Sequence, residues 1–379
     1  MLKKLSSALD GRLKQLALAT TTPQLKKPVS IASPQEYIAE AGHRKVGWRA
    51  WRRSLVFMAS GQANVKIHSL ENIGKRGLWL YAGEGQVGDA LMDLAPRSLL
   101  QAQGFRMDLL TDPHLARLFQ DDPWFSSVTD DAAVLAAVPY DFVMILSHKR
   151  RSLQPKSKSF KKLPWVSILE NFTGPNFDRS GYATQRLADL LGLELSPAEF
   201  TEHARQKLKP RLAPAGFEQA TAHLATAVAL SIGGVDPLRT YNAWPQVMAA
   251  LMRHGIHEFL LVGSDNGIAD AQRIEQTFGT SARIHNYVGK CSLAQSHDLL
   301  AVARVAICTD GGLMHLAATT ATPVLGLFSV AIEPEWRLHP RPGIACVRSN
   351  SADVNDASVQ EIVEKTLLLC NAHSQAQTS

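Results

Sequence analysis

Short apolar runs recur along this chain, each closed by glycine, proline or charged residues and followed by a stretch with the three-to-four spacing of an amphipathic helix. In GLWLYAGEGQVGDALMDLAPRSLLQAQG the run Leu78 to Tyr81 meets a glycine-rich turn, and a helical pattern starts near Asp89. FRMDLLT (105–111) and YDFVMILS (140–147) have the form of further buried strands, with helical stretches between them. The basic segment HKRRSLQPKSKSFKK (148–162) is too polar for a core and reads as a surface loop, or as a contact for an anionic acceptor.

Pro197, Pro210 and Pro214 then break both periodicities over residues 193–220, which marks a joint. Beyond it the alternation resumes. Apolar runs at 226–232, 258–263, 283–289, 304–310 and 322–328 alternate with helical segments near 245–254, 268–278, 292–303 and 312–321. Strands joined by helical crossovers lie parallel, so each half predicts an α/β doubly wound sheet with helices on both faces. Ligands of such sheets sit off the carboxyl ends of the strands.

Composition adds one asymmetry. Residues 1–76 hold 14 Lys or Arg against 4 Asp or Glu, a net of +10, and the remainder carries −4. The expected organisation is a basic N-terminal extension (1–76), a first α/β domain (77–205) and a second (206–379). The extension, with its GWRAWRRSLVFM segment, is read as a solvated or oligomer-forming arm dispensable for folding, as a surface for anionic lipid, glycan or nucleic acid, or as an amphipathic helix packed on the protein's own body. No aromatic-basic nucleic-acid module accompanies it, so a nucleic-acid partner is not expected. No run is long enough to span a bilayer, and the first twenty residues are interrupted by Lys, Asp and Arg; the expected location is the cytoplasm, with the inner face of the cytoplasmic membrane open through the basic arm. Four separated cysteines, without C-x-x-C or a His at ligand spacing, predict reduced thiols and no metal site, and Asp121-Asp122 before Pro123 reads as a turn.

The most specific stretch is CTDGGLMHLAATTATPVLGLF. A strand ends at Asp310, Gly311 and Gly312 turn the chain, and a helix begins near Leu313 with His315 in its first turn. Unpaired amides at such a turn attract phosphate, and the histidine can add a hydrogen bond; equally, Asp310 can be a plain helix cap and His315 a satisfied side chain.

This stretch resembles the D-[ST]-G-x-x-H-L-A-A, then G-x-P-x-x-x-x-F, signature of glycosyltransferase family 9, the heptosyltransferases of lipopolysaccharide core assembly. VGKCSLAQSHDLL is similar to that family's G-K-x-S-L-x-E stretch through Gly289, Lys290, Ser292 and Leu293, and GQVGDALMDL is similar to its first-strand G-D loop. The resemblance spans roughly residues 77–345 and implies the GT-B architecture, two Rossmann-like domains facing a cleft. It implies an inverting, metal-independent transfer of a sugar, heptose above others, from a nucleotide diphosphate, with ADP-heptose the favoured donor and no cofactor. The acceptor is a lipopolysaccharide, another cell-surface glycan or a lipid-linked sugar; a protein acceptor, a hexose donor and a non-catalytic nucleotide-sugar-binding protein are the alternatives.

By the same resemblance Asp89 is the base that takes the acceptor's proton, with Asp93 and Glu84 as other carboxylates of the loop, and a helix cap as its plainer role. SIGGVDPLRTYNAWP matches the family's diphosphate loop through Ser231, Gly233, Gly234 and Trp244-Pro245. Arg239 is its nearest cation, five residues before Trp244 where the family keeps one or two. The first loop also departs, reading YAGEGQVGD where members carry an Arg and small polar residues.

Overall fold

The computed structural model describes residues 2–378, with side chains described over residues 8–372. The chain forms two compact units, Met1–Arg205 and Gln206–Ser379.

In the first unit, β1 (Arg76–Tyr81), β2 (Arg106–Thr111), β3 (Ser127–Thr129), β4 (Phe142–Ile145) and β5 (Trp165–Ser167) make a parallel sheet in the order β3-β2-β1-β4-β5. Leu80 lies opposite Leu110 on one side and Ile145 on the other. Strands covered on both faces need apolar side chains at every position, which is why these runs are continuous rather than alternating. Strand order reverses between β1 and β4, so the loop after β1 opens at the switch point where doubly wound sheets hold ligands.

The second unit repeats the logic with β6 (Val228–Ile232), β7 (Glu258–Gly263), β8 (Arg283–Asn286), β9 (Val305–Thr309), β10 (Val324–Phe328) and β11 (Ile344–Arg348). Their order is β11-β10-β9-β6-β7-β8, all parallel. This is the dinucleotide-fold order 3-2-1-4-5-6, and its switch point lies between β6 and β9. Beneath it Leu230, Trp244, Phe259, Ile307 and Leu327 belong to one buried cluster. Strands β3, β5 and β11 escaped the sequence pattern: β3 and β5 have three residues each, and all three end their sheets, where one neighbour suffices.

Two expectations are corrected. Residues 1–76 are not a free arm. Three helices, α1 (Leu2–Thr21), α2 (Pro34–Ala41) and α3 (His43–Ala59), precede β1 and lie within the first unit. Backbone bonds tie this segment to the sheet domain: Ile67 N–H to Trp165 O (2.9 Å), Leu70 N–H to Leu190 O (2.7 Å), and Thr173 N–H to Thr20 O (2.8 Å). The basic stretch after β4 is likewise a helix, Arg150–Ser159, with Pro155 inside it. Its Lys156 is fully buried, because the ammonium donates to Gln62 Oε1 (2.5 Å), Leu163 O (2.7 Å) and Lys161 O (3.2 Å), and burial lowers its pKa to about 8. A lysine counted as surface charge is therefore a structural pin.

Candidate active site

At the switch point of the first unit, β1 ends at Tyr81 and the chain turns through Gly83 and Gly85 into the short helix α4 (Val87–Asp93). Both glycines have positive φ, +75° and +58°, and the amides of both donate to Asp112, which folds the loop back on itself. Asp89 stands in the first turn of α4 but caps nothing. Instead Arg179, at the start of the helix Arg179–Leu191, reaches both carboxylates of α4: its Nη1 is 3.1 Å from Asp89, and its Nε and Nη2 bond Asp93 at 2.5 and 2.8 Å.

The three loop carboxylates thus differ in kind. Asp93 is fully buried and also accepts from Tyr81 Oη at 2.8 Å. Burial pushes its pKa up while Arg179 draws it back, and burial beside Asp93 holds the Tyr81 phenol well above its ordinary value. Glu84 is buried against Arg151 in a two-pronged pair; burial raises its pKa, opposed by Lys149 and Arg151. Asp89 alone is partly open, its side chain 35% exposed, with one edge on Arg179. A carboxylate with a fixed orientation and a free lone pair suits proton acceptance, and neither Asp93 nor Glu84 has that combination.

In the second unit the switch point carries most of the other expected residues. Ser231, near the end of β6, accepts from the Thr309 amide of β9 at 3.2 Å, so its hydroxyl bridges the two strands. Asp310, directly after β9, is buried between two arginines: Arg239 Nη1 at 3.5 Å and Arg337 Nε at 3.6 Å. It does not cap the helix that follows. As an anion it holds cations in place at the mouth of the turn. Arg239, half-exposed, also lies 3.5 Å from Asp236.

Gly311 is in extended conformation, and beyond Thr309 O at 3.8 Å nothing lies near where its Cβ would stand. Gly312 starts the helix Gly312–Ala318, followed by Leu313, and the first amides of such a helix have no partner within it. His315 is held from within its own unit. It is buried, with Nδ1 2.9 Å from Gln206 Oε1, and Gln206 in turn donates to Arg337 O at 2.6 Å. That contact braces the turn.

Gly233, Gly289 and Lys290 have roles in loop assembly. Gly233 (φ +84°) would drive a Cβ to 2.8 Å from Gly267, and Gly289 (φ +70°) would drive one to 2.9 Å from Ile268. The loops after β6, β7 and β8 are therefore closed on one another, with Asn266 donating to Gly234 O at 2.7 Å. Lys290 Nζ donates to Asn286 O at 2.9 Å and is otherwise exposed. Trp244 and Pro245 open the helix Trp244–Arg253, the indole buried in the core. Sequence reasoning missed Arg179, Gln206 and Arg337; each lies far along the chain from the residue it serves and carries no local motif. Among the described residues no group of three or more His, Cys, Asp or Glu is placed to hold a metal ion.

Residues 215–365 match the family model for glycosyltransferase family 9 (heptosyltransferase). The matched segment lies wholly within the second unit. The protein is therefore a glycosyltransferase, and its two parallel α/β units are those of the GT-B architecture. Among solved structures it is similar to a family 9 glycosyltransferase from Veillonella parvula (TM-score 0.63, 13% identity, covering 80% of this chain and 99% of that one). It is also similar to the ADP-heptose lipopolysaccharide heptosyltransferase II of E. coli (0.58, 16%, 79% and 99%) and to E. coli heptosyltransferase WaaC with ADP (0.58, 14%, 78% and 99%). At these identities the likeness is one of fold. No curated protein matches the sequence.

Proposed function

We propose that the protein is an inverting glycosyltransferase that moves a heptose from ADP-heptose to a hydroxyl of a lipopolysaccharide or other cell-surface glycan acceptor, at the inner face of the cytoplasmic membrane. The observation that carries this reading is the Asp310-centred turn. It brings two arginines to the switch point of a family 9 domain, beside Gly311, which leaves the backbone open. The names of the two E. coli structures, which include ADP-heptose and ADP, support the choice of donor.

In this reading Asp89 removes the proton of the acceptor hydroxyl as its oxygen attacks the anomeric carbon from the face opposite the diphosphate. The bond from that carbon to the phosphate oxygen breaks, and its electron pair leaves with the nucleotide diphosphate. Arg239, the amides of Gly311 to Leu313 and Lys290 offset the leaving charge, while Asp310, Ser231, Gly233, Gly289 and His315 fix the geometry. Arg179 keeps Asp89 oriented.

The test is transfer from ADP-heptose, compared with UDP- and GDP-sugars, by wild type and two loop variants. Asp89→Asn should bind donor normally and lose about 10² to 10⁴ in turnover. Asp93→Asn should instead lower thermal stability, because it unbalances a buried pair with Arg179, at a cost of about 3–5 kcal/mol. Normal turnover by Asp89→Asn would remove the base from this position, and failure of every ADP-sugar to bind would remove the donor assignment.

A further inference from the structure

Helix α3 lies on the first unit with one face buried and the other open. Val46, Gly47 and Ala50 are buried, and a Cβ on Gly47 would stand 2.3 Å from the carbonyl oxygen of Leu13 in α1. On the open side, spacings of three and four residues align Trp48, Trp51, Leu55 and Met58 in one row. These side chains are 44%, 42%, 40% and 61% exposed. The two indoles meet edge to face with centroids 5.0 Å apart. Beside them, at the same spacing, Lys45, Arg49 and Arg52 form a second row, all exposed and, among the described residues, outside any ion pair. The nearby carboxylate Asp10 is taken by His43 and Arg44, and no Asp or Glu occurs between Glu40 and Glu71.

Four exposed large apolar side chains in line are unusual on a solvated helix. The adjoining cations decide what could cover them. A second copy meeting this face through a two-fold axis would set Lys45, Arg49 and Arg52 near their own counterparts, with no carboxylate on the helix to answer them. An anionic bilayer answers both rows at once: indoles rest at the headgroup level while ammonium and guanidinium groups meet lipid phosphates. Insertion across the bilayer is not available to it, since no described helix is long and apolar enough.

We propose that α3 seats the protein on a bilayer surface rich in anionic lipid, with the Trp48–Met58 row in the headgroup layer and the Lys45–Arg52 row on lipid phosphates. A consequence follows for the reaction proposed above, and only this consequence rests on that reading. Arg53, next on the helix, donates to Thr173 at 3.3 Å and lies within electrostatic range of Arg49, Arg151 and Glu84. Lys149, Arg150, Arg151 and Gln154 line an open hollow of about 510 Å³, and Arg151 stands over Gly83 of the loop leading to Asp89. Positive charge is thus continuous from the lipid-facing helix to the acceptor-side carboxylate within one unit. An acceptor anchored in lipid and bearing negative charge would be met where the base stands.

The experiment is flotation of the full chain with vesicles of phosphatidylcholine alone or mixed with phosphatidylglycerol. The protein should float with the mixed vesicles only, and less as salt rises. Reversing the cationic row (Lys45→Glu, Arg49→Glu, Arg52→Glu) should weaken binding about a hundredfold or more, and Trp48→Ser with Trp51→Ser about tenfold or more. Both variants change exposed side chains, so thermal midpoint and ADP binding should be retained. Equal flotation with neutral vesicles, or unchanged binding by the charge-reversed variant, overturns the proposal. So does a concentration-dependent dimer that the Trp substitutions dissolve while flotation is absent, which would give the face to a second copy. ADP binding without flotation would sink this inference and leave the donor reading intact.

Discussion

His148, the first residue of the basic segment that follows β4, shows what a single buried group can do to the whole fold. Its imidazole is stacked on Phe57 of α3, centroids 4.7 Å apart, and meets Trp165 edge-on at 5.6 Å, so it clamps the N-terminal helices to the sheet. Burial lowers its pKa from 6.5 to about 4, with Lys66 helping and Glu170 opposing. The folded state therefore resists a proton that the unfolded chain accepts. The stability this contributes is complete above pH 6.5 and is lost as pH falls toward 4, with a limiting slope of about 1.4 kcal/mol per pH unit and a total of about 3 kcal/mol. His148→Phe keeps the stack but has nothing to titrate. Urea unfolding of wild type and variant at pH 7 and near pH 4.5 should show the larger acid loss in wild type; equal losses would place the acid-sensitive group elsewhere. At this scale the sequence was readable where residues are neighbours in a motif, as at Asp89 or the Asp310 turn. It was silent on Arg179 and Gln206, whose partners Asp89 and His315 are supplied by separate elements.

At the scale of elements, apolar continuity identified the central strands, because a strand buried on both faces has no polar position to confuse the pattern. Charge misled in two places for one reason. Long cationic side chains can cover apolar surface or enter it when every proton is matched, and composition does not distinguish the cases. Lys156 is the sharpest example, and its partner Gln62 also accepts from Trp165 Nε1 through its backbone at 2.9 Å. Residues 1–70 are consequently expected to be required for folding. Truncation should yield insoluble protein, since it strips Phe57 and Gln62 from Trp165 and His148. The graded version is Lys156→Met, which leaves the buried Gln62 oxygen unpaired at a cost of about 1–3 kcal/mol for that acceptor alone. A truncated protein that stays soluble with an unchanged thermal midpoint would return the segment to the status of an appendage.

The whole molecule divides into two units, each with its own parallel sheet and its own buried cluster, one holding Leu80, Ile145 and Trp165 and the other Leu230, Phe259 and Ile307. Domains with separate cores can melt separately, so calorimetry of the full chain should resolve two transitions rather than one. The proposed donor residues Ser231, Arg239, Lys290 and Gly311 to Leu313 all lie in the second unit, while Asp89 lies in the first. Free energy of binding adds only to the unit that holds the ligand. At a donor concentration of about 100 Kd the gain is about 2.7 kcal/mol, which for a unit of this size is a shift of about 5–10 °C in one transition. The other should hardly move. Arg239→Ala should weaken donor binding by about 1.5–3 kcal/mol, and Gly312→Val, which sets a branched side chain at the open turn, should erase the shift while leaving two transitions. Asp89→Asn should keep the shift in full, because it touches the acceptor side alone. Movement of both transitions with donor, or of the first alone, would show that the nucleotide is not held where the family motif places it.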